Sequence, residues 1–217
     1  MLAKYIYEIS GINIEASKAY LIETRLGRIL ESENCDSYSE FYQKAKKDAS
    51  KVLEKKVIDA ITTNETLFFR DGNPFELLKH KILPEIIDRR SATKTLRPIR
   101  IWSAVEIERG LPRDRLHLYF TPDGANWKIK DAIRSMASFQ KLNLMHPFSA
   151  LGKFDIIFCR NVAIYFTLED RKKLFSKMAD ALEPDGYMII GSTESLTGVC
   201  PRFVPKRHLK SIFYQLR

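Results

Sequence analysis

The chain of 217 residues has only three cysteines, Cys35, Cys159 and Cys200, and they are widely scattered. Such thiols offer neither a disulfide framework nor metal-ligand spacing, and they suit a reducing cytoplasm. The four histidines are scattered too, so no metal site is expected. No apolar run approaches the ~18 residues of a transmembrane helix, and the N-terminus MLAKYIYEISGINIE has early acidic residues and no signal-peptide block. No helix-turn-helix, zinc-finger or RNP-like signature is present, so nucleic acid is not an expected partner. One further absence matters more. Residues 97–104, RPIRIWSA, alternate apolar side chains like the first strand of a nucleotide-binding sheet, yet no G-x-G follows them.

The apolar fraction of 45% is that of an ordinary globular protein, and the length allows one large domain or two small ones. The formal charge of +9 favours an acidic partner, either an anionic protein surface or nucleic acid, although charge alone is explained best by a solvated basic face.

Two regimes follow one another along the chain. From Ala16 to Leu30, Ala19, Ile22, Leu26, Ile29 and Leu30 recur at helical spacing. Ser37 and Glu40 form a capping box for a helix burying Phe41 and Ala45, and Leu53, Val57, Ala60 and Ile61 give another apolar face. Asn73, Pro74 and Glu76 read as N-cap, first-turn proline and capping glutamate. These helices fill residues 1–88, and the polar, aperiodic stretch ending at Pro98 (89–98) reads as a linker. Residues 99–217 then read as α/β. Phe154–Cys159 is a buried strand, Thr167 caps a helix with Leu174, Met178, Ala181 and Leu182 inward, and Glu183–Gly186 turns into a second strand, Tyr187–Ile190. That is a βαβ unit of a parallel sheet. Ile212–Leu216 offers another strand, FQKLNL (139–144) reads as the end of one more, and Pro-Asp-Gly at 122–124 signals a hairpin within 115–135.

Two stretches place polar groups where a plain core would not. TTNETLFFR (62–70) has Thr63, Asn64 and Thr66 before the anchoring pair Phe68 and Phe69 and then Arg70; taken alone it also reads as a capped helix end. CRNVAIYF (159–166) follows a buried strand, and ligands of open α/β sheets sit at the carboxyl ends of strands. Asn161 and Tyr165 fall there, as do Asn143 and Leu144 at a comparable edge, although Asn161 also reads as a local cap.

Taken together, TTNETLFFRDGNPF, LNLM, FDIIFCRNVAIYF and LEPDGYMIIGSTESL resemble the chemotaxis receptor methyltransferase family, CheR. SGINIEASKAYLIETRLGRIL is similar to the family's N-terminal helical domain, and ERGLPRDRLHLYF to the entry into its small β-subdomain. The resemblance implies an all-helical N-terminal domain, a Rossmann-like methyltransferase domain with a small antiparallel insertion, and methyl transfer from S-adenosylmethionine to chemoreceptor glutamates, with S-adenosylhomocysteine as product. It implies that Asn64, Thr66 and Arg70 face cofactor and substrate, that Asn143, Leu144, Asn161 and Val162 contact the adenosine portion, and that Tyr165 sits by the methyl group. Arg70 and Tyr165 are the implied catalytic pair. The implied partners are the acidic cytoplasmic helices of chemoreceptors, met by the basic N-terminal helix of a cytoplasmic, monomeric enzyme.

At Ala104 the chain departs from the pattern. In the family the strand resembling IRIWSA continues into a small-residue turn, a helix, a second strand and an acidic residue that holds the ribose, whereas here Ala104 passes directly to Val105-Glu-Ile-Glu-Arg-Gly110. About fifty residues are absent, more than the dozen of a minimal crossover. Losing hydrogen bonds of roughly 1.5–3 kcal/mol each would weaken cofactor binding by several powers of ten. Two readings stay open: the natural protein carries that segment in addition, or the chain is a true deletion that binds receptors without a complete cofactor site.

Overall fold

A computed structural model describes residues 1–62, 72–104, 117–124, 126–140 and 142–217. Four helices come first: α1 (Leu2–Ser10), α2 (Tyr20–Ser32), α3 (Tyr38–Lys47) and α4 (Val52–Ile61). Their inward faces form one core from Leu2, Tyr5, Ile6, Leu26, Phe41, Ala45, Leu53, Val57 and Ile61, as the helical spacing predicts. Ala19, expected on that face, is exposed, because α2 begins only at Tyr20. The capping box at α3 forms with one change. Ser37 Oγ accepts from Glu40 N at 3.1 Å, but the Glu40 carboxylate reaches back to Asp36 N at 2.8 Å.

Next come α5 (Asn73–Leu77), a π-helical turn (Leu78–Ile82) and α6 (Leu83–Thr93). Asn73 is the first helical residue rather than the cap; Gly72 precedes it without a side-chain cap. The polar stretch from residue 89 stays helical to Thr93, and residues 95–100 run irregularly into β1 (Ile101–Ala104). Beyond β1, the hairpin strands β2 (Phe120–Asp123) and β3 (Asn126–Ile129) pair antiparallel around Gly124, at φ 59°, as Pro-Asp-Gly indicates. β4 (Phe154–Cys159), α7 (Leu168–Ala181), β5 (Leu182–Ile190), β6 (Phe203–His208) and β7 (Ser211–Leu216) complete the order. FQKLNL forms no strand: its described residues have no ladder partner, and Phe139 lies exposed.

The main sheet has the order β1-β4-β5-β7-β6. β1, β4 and β5 run parallel, and β7 pairs antiparallel with both β5 and β6. The α/β class therefore holds, with a mixed sheet. Glu183–Gly186 does not end the helix in a separate turn. β5 starts at Leu182, opposite Phe154, and the four residues are absorbed as a register shift before Tyr187 pairs with Ile156. Gly186 is required there, since a Cβ would lie 2.8 Å from the Leu182 side chain and 3.0 Å from the Asp155 carbonyl.

Both faces of the parallel strands are covered, which explains why all six residues of β4 are buried. Ile157, Cys159, Met188 and Ile190 meet Leu174, Phe175 and Met178 of α7 on one side. Ile156, Phe158, Tyr187 and Ile189 meet Leu77, Ile82 and Ile86 on the other, so residues 73–93 pack on the sheet. Trp102 of β1 adds its ring to Phe148 and Phe154, with centroids at 4.9 and 5.5 Å.

A charge sits within β4, inside this apolar frame. Asp155, 2% exposed, accepts from Arg90 Nη2 at 2.5 Å, Arg97 Nη2 at 3.1 Å and the backbone N–H of Arg100 at 2.8 Å. Removing one partner of a buried ion pair strands the other. Asp155→Ala is expected to cost about 3–5 kcal/mol, read as a lowered urea midpoint, with Arg90→Ala following in the same direction.

Candidate active site

The carboxyl ends of β1, β4 and β5 lie side by side at Ala104, Cys159 and Ile190. Two loops leave this edge. After β4 the chain passes through Arg160 to Asn161, whose φ of 59° is left-handed, a conformation that asparagine tolerates better than most residues. Val162 and a 3-10 turn (Ala163–Tyr165) follow, with Val162 and Ala163 packed into the sheet core. After β5 the chain turns at once, Glu194 N donating to Gly191 O at 3.0 Å. The Glu194 carboxylate thereby swings back between the strand ends, where Oε2 accepts from Asn161 N at 2.9 Å and Gly191 N at 2.7 Å.

The predicted residues sort as follows. Asn64, Thr66 and Arg70 lie outside the described residues. Tyr165 keeps a partly exposed ring, while its carbonyl accepts from Asn13 N at 2.9 Å. Asn143 is committed within the protein: Oδ1 accepts from Met145 N at 2.9 Å and Nδ2 donates to the Ile9 carbonyl at 3.4 Å. Leu144 packs on the same core as Val162. The loops bearing Asn143 and Tyr165 thus converge on the segment leaving α1. Gly11, at φ 76°, fills that junction; a Cβ there would meet Met145 Cγ at 2.6 Å and Phe166 Cε1 at 3.0 Å.

Residues with no sequence-level signal complete the arrangement. Lys177, on the flank of α7, donates to the carbonyls of Leu144, Met145 and His146 at 2.7, 3.0 and 3.0 Å and lies 5.1 Å from the Phe148 ring centroid. Burial lowers its pKa. Asp170 is buried in the first turn of α7 and accepts from Tyr7 of α1 and from Thr167 Oγ1, both at 2.7 Å. Burial pushes its carboxyl up, but those two hydrogen bonds outweigh it and hold the group below its usual range. Glu194 carried a weak signal, a glutamate three residues after a strand-end glycine. The basic character expected of α2 is diluted, since Arg25 and Arg28 are balanced by Glu23 and Glu31, and Arg25 Nη1 is bound to the Ile61 carbonyl at 2.7 Å.

Residues 1–62 match the family described as CheR methyltransferase, all-alpha domain, and residues 105–208 match CheR methyltransferase, SAM binding domain. Chemotaxis protein methyltransferase Cher2 of Pseudomonas putida is 31% identical, over 98% of this chain and 95% of its own length. Chemotaxis protein methyltransferase 1 of Vibrio cholerae is 32% identical over 99% and 94%, and the chemotaxis protein methyltransferase of Borreliella burgdorferi 31% over 91% and 87%. The chain belongs to the CheR methyltransferase family. S-adenosylmethionine is accordingly its cofactor. The alignment with the Pseudomonas relative runs over 266 positions against 217 residues here, so that CheR relative carries residues with no counterpart in this chain.

The β4–β5 side of the edge fits such a cofactor. It offers backbone polar groups beside the apolar side chains of Val162 and Leu144, and Glu194 Oε1 is buried with no hydrogen-bond partner among the described residues. Beside β1 no further strand pairs among the described residues, and Ile101 is left half exposed. Surface depressions of about 410 Å³ beside Pro201 and Leu216 and about 320 Å³ beside Phe148 and Lys153 are lined by none of the described predicted site residues. Those residues also contain no cluster of metal-ligating side chains and no helix long and apolar enough to cross a membrane.

The bond from Tyr7 to Asp170 links the helical domain to the site-bearing half. Tyr7→Phe is expected to lower the melting temperature by a few degrees at neutral pH. A depressed folded pKa gives stability that is complete above the unfolded value of about 3.9 and is lost as pH falls through the lower folded value. The difference between wild type and variant therefore shrinks in acid, a trend that thermal melts from pH 7 down to pH 3 would follow.

Proposed function

We propose that this chain transfers the methyl group of S-adenosylmethionine to glutamate carboxylates of chemoreceptors. The observation that carries the reading is the β4–β5 carboxyl edge, built by the very segments that resemble the family's motifs, in a chain aligned almost end to end with proteins named chemotaxis methyltransferases. The bound sulfonium supplies an electrophilic methyl. A glutamate carboxylate, with an unperturbed pKa of about 4.3, is ionised at neutral pH and needs no general base. The residues are left to place the two groups in line and exclude water. In this reading Asn161 and Val162 border the adenosine portion together with Asn143 and Leu144, Asn64 and Thr66 face cofactor and substrate, Tyr165 walls the methyl group, and Arg70 holds a carboxylate through its planar fork.

The net charge of +9 suits acidic receptor helices as partners, and the reading places a monomeric enzyme in the cytoplasm with residues 1–88 toward the receptor and 99–217 carrying the chemistry. One observation favours a second reading. Among the described residues β1 is an edge strand, and the Pseudomonas relative carries residues this chain lacks. A segment absent after Ala104 leaves the ribose without its acidic partner, and the chain would then bind receptors without catalysis.

Calorimetry with S-adenosylhomocysteine separates the two. Saturable binding below millimolar ligand, with transfer of labelled methyl to receptor fragments, is expected; a silent titration beside retained receptor binding would leave only the binding module. Within the catalytic reading, Arg70→Lys is expected to cut turnover on the order of a hundredfold with the melting temperature almost unchanged, because lysine cannot reproduce the bidentate fork. Tyr165→Phe keeps the ring and loses less. Full activity in Arg70→Lys would remove Arg70 from the site.

A further inference from the structure

We infer that Glu194 is the positioning residue of the cofactor edge, the group that fixes the end of β4 against the end of β5 so that Asn161 and Val162 present to the adenosine portion. The inference rests on the methyltransferase reading above and assigns a role to a residue outside the expected site.

The parallel ladder ends with Cys159 opposite Ile190. Beyond that pair the N–H groups of Asn161 and Gly191 need an acceptor. A single oxygen, Glu194 Oε2, accepts both, at 2.9 and 2.7 Å. The geometry admits little else. A Cβ on Gly191 would stand 2.5 Å from Oε2 and 3.2 Å from both the backbone nitrogen and Oδ1 of Asn161, so glycine is the residue that leaves room for the carboxylate. Asn161 is held in its left-handed conformation at that contact. Burying a carboxylate whose other oxygen, Oε1, has no partner among the described residues is unfavourable, and a loop under no positional demand has no use for it. The glycine, the left-handed asparagine and the returning glutamate make sense together as one clamp.

The clamp acts through a single oxygen, which makes the conservative and the truncating variants diverge. Glu194→Gln keeps an oxygen that can accept both N–H groups; Glu194→Ala removes it. Amide hydrogen exchange by NMR on the full chain reads the clamp directly and needs no cofactor. Protection of Asn161 and Gly191 is expected to survive in Glu194→Gln and to fall about tenfold or more in Glu194→Ala. Calorimetry with S-adenosylhomocysteine should show affinity within about threefold of wild type for glutamine and lowered about tenfold or more for alanine, with the KM for S-adenosylmethionine rising further than kcat falls. Gly191→Ala should reproduce the alanine phenotype. Unchanged protection in Glu194→Ala would overturn the clamp, and lost protection with unchanged ligand affinity would overturn its positioning role. Should wild type itself bind no S-adenosylhomocysteine, the catalytic reading fails and the positioning role with it, while amide exchange still decides whether the clamp exists.

Discussion

Asp155 sits second in a strand whose six residues are all buried, and its carboxylate is met by groups from three places in the chain. Arg90 comes from the helix over one face of the sheet, Arg97 from the irregular stretch after it, and the Arg100 amide from the approach to β1. Arg97 also reaches Glu183 at 3.0 Å, and Arg100 holds the Leu151 and Lys153 carbonyls at 2.7 and 2.8 Å. A buried anion is tolerated only when its cations and donors are in place. Meeting that condition fixes where α6 lies, how β1 enters beside β4, and how the loop before β4 closes. The carboxyl edge at the far end of those strands inherits its register from this point.

The fold was largely legible because its strongest signals are local. The inward faces of α2, α3 and α4 declare themselves through spacing, and β4 reads as a continuous apolar run because both of its sides are covered. The hairpin followed from Pro-Asp-Gly. Errors fell where long-range contact overrides local preference. The polar stretch from residue 89 stays helical to Thr93 within a helix that packs through Ile86 and is tied down by Arg90. FQKLNL looks strand-like by itself, but no ladder partner comes near its described residues. Glu183–Gly186 reads as a turn, yet β5 carries it as an irregularity.

The candidate site was legible in part, for a related reason. Asn161 and Val162 stand beyond a buried strand, a position sequence marks plainly. Glu194, Lys177 and Asp170 each bond across a gap of about thirty residues or more, and beyond the strand-end glycine before Glu194 little in their immediate neighbours distinguishes them from surface charges. Their roles come from backbone groups they satisfy elsewhere: two amides for Glu194 and three carbonyls for Lys177. Periodicity cannot report such bonds, because they depend on which loops meet.

The junction at Gly11 bears on how the two halves of this chain can change over time. The helical half and the sheet half are matched by separate descriptions, and separable modules are free to be exchanged between lineages. Here the segment leaving α1 supplies an amide to Tyr165, a carbonyl to Asn143 and a Cβ-free surface to Met145 and Phe166. A chimera joining the first half of one relative to the second half of another must reproduce all of these fits at once. Residues 7–13 and the loops they touch therefore constrain one another, and the seam limits which halves can be joined.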